Sequence, residues 1–112
     1  MDSSVHHHHL DVTSSIDEEG RRVLELSGDI DLKTVPTLSE QIIGMASPRE
    51  TVVLDLADVR FVDSPGLGSI IHCHLRLADM GGSLVLRSPT RPVRELFELV
   101  QLGSLLPIEP AP

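Results

Sequence analysis

The chain has 112 residues, enough for one domain, and 40% of them are apolar, enough for one modest core. Seventeen acidic residues against nine basic ones give a formal charge of −8, and Phe61 and Phe97 are the only aromatics. That balance excludes nucleic acid as a partner, because phosphate backbones demand clustered Lys/Arg and single strands demand stacking platforms.

The segment Met1–His9 is polar and ends in the run His6–His9. It is either tag-derived or a native extension, and it is set aside as a flexible N-terminal segment (residues 1–9). One domain is expected over residues 10–109, with a short tail over 110–112. Leu10, Val12 and Ile16 read as a first strand, Asp17-Glu18-Glu19-Gly20 as a turn, and Val23-Leu24-Glu25-Leu26 as a second strand. The two strands predict a hairpin. Gly28 ends the second strand, and Asp29-Ile30-Asp31 forms a loop.

Thr34 suits a helix cap and Pro36 the first turn, where a missing N–H does little harm. Val35, Leu38, Ile42 and Met45 then recur at helical spacing as one apolar stripe, and Ser47-Pro48 closes the segment. Thr51-Val52-Val53-Leu54-Asp55-Leu56 is nearly continuous and β-branched, the pattern of a strand buried on both faces. A second helix is expected from about Pro65 to Asp79, striped by Leu67, Ile70, Ile71, His74 and Leu77 or Ala78, and stopped by Gly81-Gly82. Ser83–Arg87 is another buried strand. Thr90 caps a third helix with Val93, Leu96, Phe97 and Val100 inward and Gly103 at its end. Leu105-Leu106-Pro107-Ile108 adds an edge strand, since Pro107 would spoil a central one. The order β-β-α-β-α-β-α-β predicts an α/β fold with a mixed, mostly parallel sheet and right-handed crossovers.

The richest stretch runs from Asp55 to Gly68: a buried strand, a short loop, then a helix start at Asp63-Ser64-Pro65-Gly66. Ser64 takes the N-cap position and Pro65 the first helical one. Helix N-termini favour anions, so a phosphate on Ser64 would sit in a tolerant field. Gly66 and Gly68 leave the backbone bare for close approach by another protein. Ser-Pro-Gly is also what an ordinary cap looks like, and the residues alone do not choose between these readings.

Asp63-Ser64-Pro65-Gly66-Leu67-Gly68 after Val53-Leu54-Asp55-Leu56 resembles the signature of STAS domains of bacterial anti-sigma factor antagonists. Gly28-Asp29-Ile30-Asp31 resembles the family's Gly-x-x-Asp loop, Gly81-Gly82 before Ser83–Leu86 its Gly-Gly-then-strand step, and Pro92–Phe97 followed by Leu102 its last helix. The resemblance implies a single STAS domain that works by partner switching. It makes Ser64 the phosphorylation site. The unphosphorylated protein binds an anti-sigma factor that is also a serine kinase, which frees a sigma factor. Phosphorylation ends the complex, and a metal-dependent serine phosphatase resets it. Asp31 would help contact the kinase and Asp63 would flank the acceptor hydroxyl; with the residue reading, the expected partner-binding set is Asp31, Asp63, Ser64, Pro65, Gly66, Gly68 and His72. Many family members have a second serine where this chain has Pro65, which stiffens the helix start. STAS domains also serve as unphosphorylated scaffolds or transporter-associated subunits, the alternative reading.

Other chemistries find little support. Ser64 has no identifiable base, since His72 lies two turns along the same helix, so no enzyme is expected. There is no Gly-rich loop ending in Lys-Ser/Thr, the only lysine being Lys33, and no cofactor is expected. His72, Cys73 and His74 point about 100° apart on a helix and cannot share a metal ion. His74 reads as a core-edge residue and Cys73 as a packed one. Ser64, Gly68 and His72 follow one ridge, with Ser69 and Arg76 nearby, which suits a partner-facing surface and equally an ordinary solvated face. No apolar run spans a membrane and no h-region sits near the start, so a soluble cytoplasmic protein is expected. The single Cys73 fits a reducing compartment. The short, proline-bearing sheet edge predicts a monomer when free.

Overall fold

The computed structural model describes residues 9–111, so the proposed N-terminal segment up to His8, and Pro112, lie outside the described residues. Strands β1 (Leu10–Ile16) and β2 (Arg22–Ile30) form the expected antiparallel hairpin, in register from Leu10 opposite Gly28 to Ile16 opposite Arg22. Asp17 builds the turn between them. Its Oδ1 accepts from the N–H groups of Glu19 and Arg21, both at 2.9 Å, and its Oδ2 from Arg21 Nε at 2.8 Å. The N–H of Arg21 is the leading reason the Asp17 carboxyl titrates below its ordinary range.

Strands β3 (Thr51–Val62), β4 (Ser83–Arg87) and β5 (Ile108–Glu109) follow, each parallel to the one before, with β3 parallel to β2. The sheet order is β1-β2-β3-β4-β5, the order of the chain itself. Crossovers of one hand between strands stepping in one direction place every connecting helix on the same face. The packing agrees: Leu24, Leu26, Val52, Leu54, Leu56, Leu84 and Leu86 share one buried cluster with Leu38, Ile42, Ile70, Cys73, Leu77, Val93 and Phe97 of the helices. The opposite face carries a separate row of three buried residues, Val23, Val53 and Val85. Flanking that row are the Asp55–Arg87 ion pair (3.0 Å) and the hydrogen-bonded hydroxyls of Thr51 and Ser83 (3.1 Å). Val53 and its neighbours Val52 and Leu54 are thus buried from both sides, as the apolar run predicts.

Helix α1 (Val35–Ser39) runs on into a π-helical turn over Glu40–Gly44. Leu38 and Ile42 face the core, but Met45 is 59% exposed, contrary to the predicted stripe. The wider turn advances the chain by five residues where the α-helical phase assumes four, which carries Met45 out of line. Arg22 closes this helix, its guanidinium donating to the carbonyls of Gln41 (2.7 Å) and Ile42 (3.0 Å) and pairing with Glu50 (3.0 Å). Helix α2 spans Ser64–Asp79 and ends through Gly81 at φ 78°, a left-handed residue that lets its N–H reach the carbonyl of Ala78. Helix α3 spans Arg91–Leu99, shorter than expected. The chain turns at Gln101 (φ 56°) before Gly103 is reached, so Val100 is a half-exposed cap and not a core residue. A 3-10 turn, Leu102–Ser104, brings Leu102 and Leu106 into the core ahead of β5. No described helix is long and apolar enough to cross a membrane.

Candidate functional site

The site is the junction where β3 ends and α2 begins, beside the loop that leaves β2. Asp63, not Ser64, is the N-cap of α2: its backbone is extended (φ −94°, ψ −179°) and its Oδ1 accepts from Gly66 N–H at 2.7 Å. Both residues are capping types, and a carboxylate is the stronger acceptor. Ser64 is therefore the first helical residue, exposed to solvent, with Pro65 exposed behind it. Among the described residues no hydrogen bond reaches the Ser64 hydroxyl. His72 is eight residues along the helix, about 12 Å of rise, beyond the reach of a proton transfer.

The helix start offers a phosphate less than the sequence suggested. Gly66 N–H is taken by the Asp63 side chain and Leu67 N–H by the Asp63 carbonyl (2.8 Å), while Pro65 has no N–H. Gly66 also plays a different part from the one expected of it. It is buried, and a Cβ there would overlap the carbonyl of Ile30, so glycine is needed for the first turn of α2 to lie against the end of β2. Gly68 does face open space, and His72 and Arg76 are exposed on the same ridge. Ser69 leaves that ridge for the interior (7% exposed), within 3.4 Å of the Ser39 hydroxyl on α1.

Asp31 is buried (3% exposed) at the start of the loop into α1. Its Oδ1 accepts from Lys33 N–H (3.0 Å) and Thr34 N–H (3.1 Å), the closing bonds of a tight turn. Thr34 gives α1 no side-chain cap. Its hydroxyl instead accepts from Asp31 N–H (2.9 Å) and donates to the Asp29 carbonyl (2.8 Å), stitching the turn from inside. The loop is then tied to the start of α2 twice. Asp63 N–H donates to the Ile30 carbonyl (3.1 Å), and Asp63 Oδ2 accepts from Leu32 N–H (3.1 Å). Asp31, Asp63, Ser64 and Gly66 are thus brought together by main-chain and carboxylate contacts, and Gly68 and His72 extend away along the helix.

Sequence reasoning missed Leu32, whose side chain is 67% exposed on this braced turn, and Phe61, 52% exposed two residues before Asp63. Phe61 borders a groove of about 230 Å3 with Arg60, Val62, Pro92, Val93 and Leu96. Nothing in the local pattern separates an exposed loop leucine from a core one, and only the direction of the turn decides it. Cys73 is fully buried beside Ser39 and Ser69, and that burial pushes its thiol above the ordinary range. His74 is half-buried with Nδ1 unpartnered, and the described residues hold no group of three His, Cys, Asp or Glu placed to bind a metal.

A family model described as Mlab, STAS domain, matches residues 8–107. The chain belongs to the STAS domain family. Among curated relatives, this STAS domain is 30% identical over 91 residues to the anti-sigma F factor antagonist of Paenibacillus polymyxa, covering 80% of this chain and 78% of that one. It is 28% identical over 85 residues to the anti-sigma-B factor antagonist of Bacillus subtilis (76% and 78%). Its fold matches the crystal structure of an anti-sigma factor antagonist from Mycobacterium paratuberculosis at a TM-score of 0.77, with 24% identity over 90% of this chain and 86% of that one. It also matches unphosphorylated SpoIIAA, another anti-sigma factor antagonist, at 0.73, with 22% identity over 91% and 89%.

Proposed function

We propose that this STAS domain is a cytoplasmic anti-sigma factor antagonist, switched off by phosphorylation of Ser64. The observation that carries the reading is an exposed serine hydroxyl at the first position of α2, directly after an aspartate that joins the helix to the Asp31 loop. The names of its curated relatives supply the class of partner. In the unmodified state the domain binds an anti-sigma factor that is also a serine kinase. Ser64 Oγ then attacks the γ-phosphorus of the kinase's ATP, ADP leaves, and the hydroxyl proton passes to a base on the kinase. A metal-dependent serine phosphatase restores the hydroxyl by hydrolysis, releasing inorganic phosphate.

A phosphoserine carries a charge of about −1.5 to −2 at neutral pH. Driving a complex from almost fully bound to almost fully free needs roughly 5.5 kcal/mol of differential affinity. With Asp63 adjacent, Gly66 and Leu67 N–H already engaged and Pro65 without one, the new charge has little local compensation beyond the N–H of Ser64, so expulsion from a desolvated contact is favoured. The engaged N–H groups of Gly66 and Leu67, with Pro65, favour a second reading, a scaffold that is never phosphorylated.

Incubation with Mg-ATP and each anti-sigma kinase of the host, followed by intact mass, separates them. The first reading expects one phosphoryl group on the parent and none on Ser64→Ala. No transfer with any kinase sinks it and leaves the scaffold.

A further inference from the structure

We propose that Asp63 is a latch linking the state of Ser64 to the position of Leu32, and that Leu32 is the apolar anchor by which the unmodified domain docks on its kinase. The docking half rests on the reading above; the latch stands on this structure's hydrogen bonds.

Leu32 is not simply a leucine on the surface. Leu99 is more exposed (80%), yet it sits where α3 ends, away from the acceptor. Leu32 stands on a turn held by Asp31 Oδ1 and the Thr34 hydroxyl, so its backbone is fixed while its side chain is in water. A fixed apolar side chain loses little freedom on binding, which is the property of an anchor. Its N–H leaves the turn and reaches Asp63 Oδ2, while the other oxygen of the same carboxylate caps the helix that presents Ser64.

Phosphate on Ser64 sets a dianion one residue from that carboxylate. Gly66 and Leu67 N–H are taken and Pro65 has none, so beyond the N–H of Ser64 itself the phosphate gains one only by displacing Asp63 from Gly66. Repulsion between the two anions moves the carboxylate in the same sense. Either way Leu32 N–H loses its acceptor, and the anchor keeps only the turn's own bonds and loses its tie to the helix start. The switch is then both electrostatic at Ser64 and conformational at the neighbouring turn.

The test uses full-length 15N-labelled protein with phosphoserine genetically encoded at position 64, so that no kinase is needed. Amide exchange at Leu32 should be roughly tenfold faster than in the unmodified protein, as expected for losing about one hydrogen bond. Asp63→Asn, which keeps a capping oxygen, should speed Leu32 exchange without any phosphate, and Ser64→Ala should not. An unchanged Leu32 amide in the phosphoserine protein overturns the latch, even where phosphorylation still abolishes binding and the functional reading stands. For the docking half, Leu32→Ala should melt like the parent and bind the anti-sigma kinase roughly tenfold or more weakly. Asp63→Asn should also weaken binding, and the double variant should be no weaker than Leu32→Ala alone. Parent-like affinity of Leu32→Ala, or multiplicative losses in the double variant, overturns the anchor. A parent that binds no anti-sigma kinase overturns the anchor together with the functional reading, while the amide comparison still decides the latch.

Discussion

The starts of α2 and α3 read alike in sequence: a capping-type residue, one intervening residue, then proline, in Asp63-Ser64-Pro65 and Thr90-Arg91-Pro92. The structure uses them differently. Thr90 makes no side-chain cap; its hydroxyl donates to the Val59 carbonyl at 3.2 Å and fixes α3 against β3. Asp63 caps its helix and extends its second oxygen to another loop. One start is a fastening between two elements, and the other is a junction of three with a hydroxyl at its tip. The lesson is that a cap motif states which groups are available, and the neighbouring chain states which of them are used.

Five substitutions would break or sharpen that contrast. The largest effect is expected at Gly66→Ala, where the added methyl meets the Ile30 carbonyl; a loss of about 3 kcal/mol in urea unfolding is predicted, with Gly68→Ala as control. Gly68 faces open space within the same helix, so its alanine variant should gain roughly 0.5–1 kcal/mol. Equal effects at the two glycines would mean that α2 does not lie against β2 as described. Next comes Asp63→Ala, expected to cost about 1–2 kcal/mol through the lost cap, against about 1 kcal/mol for Thr90→Val. Only the former should alter Leu32 amide exchange, and a change there in Thr90→Val would erase the distinction between the two starts.

The smallest effect concerns an aspartate that braces a turn without touching the site. The Asp17 carboxyl is held below its ordinary range by the N–H of Arg21, so its stabilising effect is present above the unfolded value and fades as pH falls through the folded one. Asp17→Asn should therefore flatten the acid limb of the stability profile slightly and leave affinity for any Ser64-directed partner unchanged. An altered affinity would show that the hairpin turn and the α2 start are not independent.

The order of elements was legible because the chain changes its apolar period cleanly, from Thr51–Leu56 as a continuous strand to the spaced stripe of α2. Family resemblance picked out Asp63-Ser64 and the Gly28–Asp31 stretch; the expected loop turns out to be the end of β2 (through Ile30) with Asp31 in the turn beyond, and the geometry brings the two stretches together. Three details were not legible. Asp and Ser are both caps, so the one-residue shift of α2 depends on which reaches Gly66. The outward turn of Met45 depends on a π-helical step with no composition of its own. The need for glycine at position 66 comes from Ile30, thirty-six residues away in the chain and in contact only once the sheet exists.

The match between strand order and chain order bears on how the molecule is made. Each strand pairs with the one synthesised just before it, and no later strand inserts between two earlier ones. As the chain leaves the ribosome, the β1–β2 hairpin is complete first, and every βα pair that follows adds to a growing edge already in place. Ser64 thus directly follows the three strands that complete first, with β4, α3 and the two-residue β5 added beyond it in chain order.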